Sequence, residues 1–98
     1  MLVDAENVRR SRWPNVSPRE LEERCRAWAE ARGLAVMVVW ERPQSADETI
    51  AALATELRDR GAAYWLVTSD RELRERAGGG AQRVIGGGSF LSELLGER

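Results

Sequence analysis

Short apolar segments alternate along the chain with segments whose apolar residues recur at helical spacing. The apolar segments are residues 2–3, 35–40, 63–68 and, less continuously, 82–85. One of them, 35–40, is apolar throughout, which is typical of a strand covered on both faces of a parallel sheet. The segments between them carry single apolar stripes that predict amphipathic helices. Two such stripes consist of Leu21, Cys25, Trp28 and Ala29, and of Ile50, Leu53, Ala54 and Leu57.

Helix boundaries are marked by three capping-box patterns, in which a serine is followed three residues later by a glutamate. They cover residues 17–20, 45–48 and 69–72. Residues 8–16 are expected to form a loop, and Gly86-Gly87-Gly88 a flexible connection before a last helix at 89–95. The order βαβαβαβα predicts a Rossmann-type, three-layer α/β/α fold with a four-stranded, mostly parallel sheet. We expect one domain spanning residues 1–98.

The composition excludes several kinds of catalytic site. The chain has no histidine and no lysine, and all 15 basic residues are arginine. A Ser–His or Cys–His nucleophile, a lysine Schiff base and a P-loop are therefore excluded. A zinc site is disfavoured because Cys25 is the only cysteine, and we expect that cysteine to lie in the core. An enzyme with this composition would depend on carboxylates and a hard metal ion.

Three aspartates share one position in the predicted fold. Asp4 ends the first strand, Asp47 lies in the first turn after the second, and Asp70 follows the third. Every strand-to-helix junction of a parallel sheet lies on one edge, where ligands bind, so the three carboxylates are expected to converge. Oxygen ligands of this kind favour Mg²⁺ or Mn²⁺.

Each of these residues also has a structural interpretation to be weighed against a functional one. Asp47 and Asp70 occupy first-turn positions, where an acid offsets the helix dipole. Asp4 has no such role. Arginines in or beside the same loops are candidates for binding phosphates, namely Arg9, Arg10, Arg12, Arg42 and Arg71. Trp13 is expected to pack over the sheet edge, with base stacking as the alternative.

Taken together, these motifs resemble the NYN domain of the PIN-like nuclease superfamily, most closely its YacP-like branch. The resemblance is carried by residues 2–8 (LVDAENV), 45–50 (SADETI) and 67–73 (VTSDREL), with 89–91 (SFL) near the end. It runs the length of the chain in the family's order.

The resemblance implies a metal-dependent endoribonuclease acting on RNA, which we expect to be single-stranded. Asp4, Asp47 and Asp70 would be the metal-binding and catalytic acids, and Asn7 and Ser69 would orient them or the phosphate. The chain departs from the family in lacking an acid beside Ser89; Glu93 is the nearest. Two alternatives stay open: an RNA-binding domain of this fold without activity, and a phosphate-handling enzyme of another α/β class.

The remaining expectations concern location and assembly. No apolar run approaches the roughly 20 residues of a membrane span. The single cysteine fits a reducing, cytoplasmic setting. The net charge of −1 provides no general attraction to polyanions, so RNA binding would depend on local arginines. Four tryptophans in a core this small leave a homodimer open.

Overall fold

The computed structural model describes residues 1–96 and contains one four-stranded sheet between two layers of helices. The strands are β1 (Leu2–Asp4), β2 (Met37–Val39), β3 (Trp65–Val67) and β4 (Arg83–Ile85). They are ordered β2-β1-β3-β4, and all three neighbouring pairs are parallel. The predicted α/β/α class is thus confirmed, with a sheet that is parallel throughout.

Within residues 1–96, five helices are present, one more than the predicted alternation contains. They are α1 (Ala5–Arg9), α2 (Pro18–Ala31), α3 (Ala46–Asp59), α4 (Arg71–Ala77) and α5 (Gly87–Leu94). The number is higher because both α1 and α2 lie between β1 and β2. Ser17 and Ser45 cap α2 and α3 as predicted, each accepting a hydrogen bond from the backbone N–H three residues on. Within residues 1–96, none of these helices combines the length and the apolar character needed to cross a membrane.

The two helical layers are built by alternation along the strands. Leu2 and Leu66 belong to the core cluster formed with α3 and α4, whereas Val3 and Val67 belong to the cluster formed with α1, α2 and α5. Adjacent residues of a strand point to opposite faces, so each central strand supplies both layers. Cys25 is buried in the second cluster, as predicted, and burial raises the pKa of its thiol to about 12.

Parts of two segments expected to be irregular are helical, whereas residues 10–16 form the predicted loop. Residues 8–16 were predicted as a loop, but Val8 and Arg9 belong to α1, which follows β1 without a connection. Ala5 and Val8 are fully buried on one side of this short helix, and their packing stabilises it. The expected flexible connection at 86–88 is likewise wrong, because Gly87 and Gly88 form the first turn of α5.

Exposure corrects two further predictions. β2 was expected to be covered on both faces, but it is an edge strand and its Met37 is 49% exposed. Trp13 was expected to pack over the sheet edge, yet 85% of its surface is exposed. The apolar pattern predicts that a segment is a strand, but it does not predict which strand lies at the edge.

Candidate functional site

A cleft of about 530 Å³ lies at the carboxyl end of the sheet. Its lining residues are Asp4, Glu6, Asn7, Arg10, Ser11, Glu41, Asp47, Ser69 and Asp70. The structure therefore brings together the three aspartates selected from the sequence, with Asn7 and Ser69 beside them. Five of the lining residues are acids and only one is basic, so the cleft is strongly negative.

Asp4 is the most deeply buried acid of the cleft, with 5% of its surface exposed. It immediately precedes α1, but its side chain makes no capping hydrogen bond to that helix. Instead, its Oδ2 accepts a hydrogen bond of 2.8 Å from the Thr68 hydroxyl. Burial raises the pKa of Asp4 to about 6, and although the Thr68 hydrogen bond opposes the shift, repulsion by Asp47, Glu41 and Asp70 adds to it. The carboxylate thus lies in a site that disfavours its charge.

Thr68 connects two of the aspartates, and no sequence pattern marked it as a functional residue. Its hydroxyl donates to Asp4 and accepts a hydrogen bond of 3.1 Å from the backbone N–H of Asp70. The residue is fully buried at the end of β3. A polar residue closing an otherwise apolar strand, directly before Ser69-Asp70, is the signal that could have identified it.

Asp70 is the residue that caps α4. Its Oδ1 accepts a hydrogen bond of 3.0 Å from the backbone N–H of Leu73. The sequence placed the cap one residue earlier, at Ser69, and that assignment is wrong because the Ser69 side chain is directed to another element. Asp70 therefore has a structural role, as the N-cap and not as the first-turn residue that was expected, and this role uses one of its two carboxylate oxygens.

Asn7 and Ser69 form a chain of hydrogen bonds that joins three strand ends. Asn7 Oδ1 accepts from the backbone N–H of Ser69 at 2.8 Å, and Ser69 Oγ accepts from the backbone N–H of Gly87 at 2.7 Å. Gly87 has no room for a side chain, since a Cβ there would lie 2.6 Å from Asn7 Oδ1. The chain fixes α1, the β3–α4 junction and α5 relative to one another at the rim of the cleft.

Asp47 differs from the other acids of the cleft because its carboxylate has no bonding partner among residues 1–96. It lies in the first turn of α3 and is partly exposed, and no hydrogen bond or ion pair joins its carboxylate to another of residues 1–96. Its pKa is raised, first by burial and then by repulsion from Asp70 and Glu41. Both of its oxygens are thus available to a ligand in the cleft.

Glu41 is an acid of the cleft that sequence reasoning missed. It follows β2 closely, and its Oε1 accepts a hydrogen bond of 3.1 Å from the backbone N–H of Ala46. The fourth acid was sought near Ser89, but Glu93 does not line the cleft and instead lies 3.7 Å from Arg32. The sequence feature that could have identified Glu41 is its position directly after an apolar segment, a position that Asp4 shares.

Only one of the five arginines predicted as candidates for binding phosphate, Arg10, lines the cleft. Arg9 is held by Glu6, with 2.8 Å between Nε and Oε1, and also donates to the Val16 carbonyl oxygen. Arg71 is 93% exposed beside Glu75. Arg9 and Arg71 do not line the cleft, and Arg12 does not line it either, in contrast to Arg10. Arg9 is directed away because α1 continues through it, where a loop was expected.

The chemistry of the donors fits a hard divalent cation, although no coordination cage is preformed. Within residues 1–96, no group of three or more acidic or cysteine side chains is arranged to hold a metal ion. Asp4, Asp70 and Glu41 each accept an internal hydrogen bond through one carboxylate oxygen. The second oxygen of each remains, Asp47 contributes two more, and oxygen donors of this kind suit Mg²⁺ or Mn²⁺.

No protein-family model matches the chain, and neither a curated protein nor a solved structure is significantly similar to it. The fold and the cleft therefore define only a class: a small α/β protein with a parallel sheet and an acidic cleft at its carboxyl edge. The resemblance to NYN domains stays a prediction from the sequence.

Proposed function

We propose that this protein is a metal-dependent endoribonuclease that hydrolyses phosphodiester bonds of single-stranded RNA using Mg²⁺ or Mn²⁺. The observation that carries the proposal is that Asp4, which ends β1, and Asp47 and Asp70, which follow β2 and β3, line a single cleft. The motifs that resemble NYN domains support the same activity. An acidic cleft at the ligand-binding edge of a parallel sheet is a suitable place for it.

The electrostatics of the cleft support dependence on a cation. Burial and mutual repulsion raise the pKa values of both Asp4 and Asp47. An RNA phosphate would add another negative charge to this surface. A bound divalent cation would offset the negative charge of the cleft. We therefore expect both ionisation of its carboxylates and binding of the scissile phosphate to require the cation.

The acids of the cleft have different surroundings, and we therefore propose a different role for each. Asp4 is held by Thr68, so its free oxygen would be a fixed ligand. Asp70 is held by the hydrogen bond that it accepts as the N-cap of α4, and its free oxygen would be a second ligand. Asp47 has no bonding partner among residues 1–96 and is partly exposed, which suits a residue that completes the site and positions the attacking water. The cation, when bound, would lower the pKa of that water and polarise the phosphoryl oxygen.

A domain of the same fold that binds RNA without cleaving it is the second candidate. The observation that favours it is the internal hydrogen bonding of Asp4, Asp70 and Glu41, which leaves no set of three ligands prearranged among residues 1–96. This candidate predicts RNA binding that neither needs a cation nor leads to cleavage.

Asp47→Asn tests the proposed activity with little risk to folding. Because its carboxylate accepts no hydrogen bond within residues 1–96, the change removes only charge. Cleavage of a 5′-labelled single-stranded RNA in Mn²⁺ should fall at least about 100-fold, as expected when several kcal/mol of transition-state stabilisation is lost. Melting temperatures of the two proteins without metal should be similar.

Asp59→Asn is the matched control, because Asp59 is an exposed acid at the other end of the same helix. It should leave cleavage unchanged, and EDTA should stop cleavage by the wild type. Wild-type protein that leaves RNA intact across a Mn²⁺ titration would count against the nuclease, and RNA binding under those conditions would favour the second candidate.

Glu41→Gln tests whether the acid missed in the sequence belongs to the site. Glutamine keeps an oxygen that can accept from the Ala46 N–H, so the turn before α3 should persist. The Mn²⁺ concentration for half-maximal cleavage should rise about 10-fold or more, within the range found when a group supporting a metal site is lost. Glu48→Gln changes an exposed acid of the adjacent helix turn and should have no effect. An identical Mn²⁺ dependence for Glu41→Gln would remove Glu41 from the site.

A further inference from the structure

A second groove, of about 390 Å³, continues from the acidic cleft on the β2 side of the sheet. It is lined by Glu6, Arg10, Trp40, Glu41 and Arg42. Glu6, Arg10 and Glu41 also line the cleft, so the two depressions share a wall. A ligand that extends out of the cleft in this direction would enter the groove directly.

The lining of the groove differs from that of the cleft. The cleft has five acids and one arginine, whereas the groove has two acids and two arginines beside an indole ring. Arg10 is paired with Glu6, with 2.9 Å between Nε and Oε2. Arg42 is exposed, and no hydrogen bond or ion pair joins it to another of residues 1–96. A free guanidinium beside an aromatic ring is a combination that binds a phosphate and a base together.

Trp40 is held in position from the opposite side. Its Nε1 donates a hydrogen bond of 3.0 Å to Glu22 of α2, and its ring packs against the core cluster of that layer. Trp40 also lines the groove. Because the ring is already fixed, little side-chain entropy would be lost when a base contacts it.

We propose that this groove binds the nucleotide of a single-stranded RNA that adjoins the scissile phosphate, with Trp40 contacting the base and Arg42 the neighbouring phosphate. The inference rests on the proposed nuclease function, since it takes the cleft as the place of cleavage. The volume falls within the usual range of small-molecule sites, about 300–1,000 Å³, and thus has room for one nucleotide. A base that stacks on protein must be unpaired, which makes single-stranded RNA the substrate class.

Arg42→Glu is the central experiment, with Arg26→Glu as its control. Arg26 is exposed on α2, away from both depressions, and its substitution makes the same change in net charge. Fluorescence polarisation with labelled single-stranded RNA is measured in the Asp47→Asn background so that the RNA stays intact. Arg42→Glu should weaken binding at least about 10-fold and Arg26→Glu less than about twofold. Arg42→Ala should reduce the slope of log K against log salt by about 0.7, the value for one contact with a single strand.

Trp40→Leu and Trp40→Phe provide an independent test of stacking. Leucine should weaken binding by about 5- to 150-fold, the range for one lost base stack, while phenylalanine should retain most of the affinity. Because Trp40 also packs on the core, thermal melts of both variants accompany the binding data. Arg42 is exposed and its variants do not carry that ambiguity.

The outcomes separate the inference from the function on which it rests. Weaker binding for Arg42→Glu than for Arg26→Glu, with a matching rise in KM for cleavage by otherwise wild-type protein, supports the groove. Equal effects of the two substitutions in a protein that still cleaves RNA would overturn the groove and leave the nuclease standing. Wild-type protein that neither binds nor cleaves RNA would overturn both.

Discussion

Asp4→Asn should make the metal-free protein more stable at pH 8 and should also abolish metal-dependent cleavage. Asparagine has nearly the same shape, and its side-chain oxygen can still accept the Thr68 hydrogen bond. What it removes is a buried charge that is repelled by Asp47, Glu41 and Asp70. A residue that matters only for folding would not show a gain in stability together with a loss of activity.

The pH dependence of this effect has a defined sign. The pKa of Asp4 rises from 3.8 to about 6 on folding, so the folded protein holds the proton more tightly than the unfolded chain does. The wild type should therefore lose stability as the pH rises from about 4 to 6 and should remain lower above that interval. The difference between the two proteins at pH 8 should be roughly 1–3 kcal/mol.

Thermal melts without metal at pH 4 and pH 8 measure this difference. Each kcal/mol should shift the melting temperature by about 4–8 °C in a domain of this size, and the shift should be much smaller at pH 4. Asp4→Ala is the control, because it removes the charge but also leaves the Thr68 hydroxyl without its acceptor, and it should be less stable than Asp4→Asn. Destabilisation by Asp4→Asn at pH 8 would contradict the electrostatic account of the cleft.

Gly87→Ala should destabilise the fold by about 1–3 kcal/mol, the usual effect of forcing an extra methyl group into a packed site. The added Cβ would lie 2.6 Å from Asn7 Oδ1 and 3.4 Å from the Cα of Val8. Asn7 would have to move, and the backbone N–H of Ser69 would then lose its acceptor. Denaturant unfolding measures the change.

Gly88→Ala is the matched control one residue further along α5. Its Cβ would meet only the Cβ of Ser11, at an ordinary 3.9 Å. Alanine is also favoured over glycine in a helix by up to about 1 kcal/mol, so this variant should be as stable as the wild type or more so. Adding Asn7→Ala to Gly87→Ala should recover part of the loss, because it removes the clashing atom. Equal stabilities for Gly87→Ala and Gly88→Ala would show that the contact is not tight.

Much of the fold could be predicted from local patterns. The apolar segments and helical stripes predicted the four strands, four of the five helices described in residues 1–96 and the layered class, because burial on both faces of a strand and on one face of a helix requires those periods. Ser17 and Ser45 cap their helices as expected, since capping needs only residues three positions apart. The common edge of Asp4, Asp47 and Asp70 also followed, because parallel strands all end on the same side of a sheet.

The contacts that build the cleft were decided by the tertiary structure. Alternation of strands and helices does not determine the order β2-β1-β3-β4, which places β1 and β3 side by side and so brings Thr68 to Asp4 across 64 positions of the chain. The bond from the Ser69 backbone to Asn7 spans 62 positions and depends on the same pairing. Glu41 could not be distinguished from a surface acid, nor Trp13 from a packed ring. Local patterns determine which face of an element is buried, whereas the residues it meets depend on neighbours that are distant in sequence.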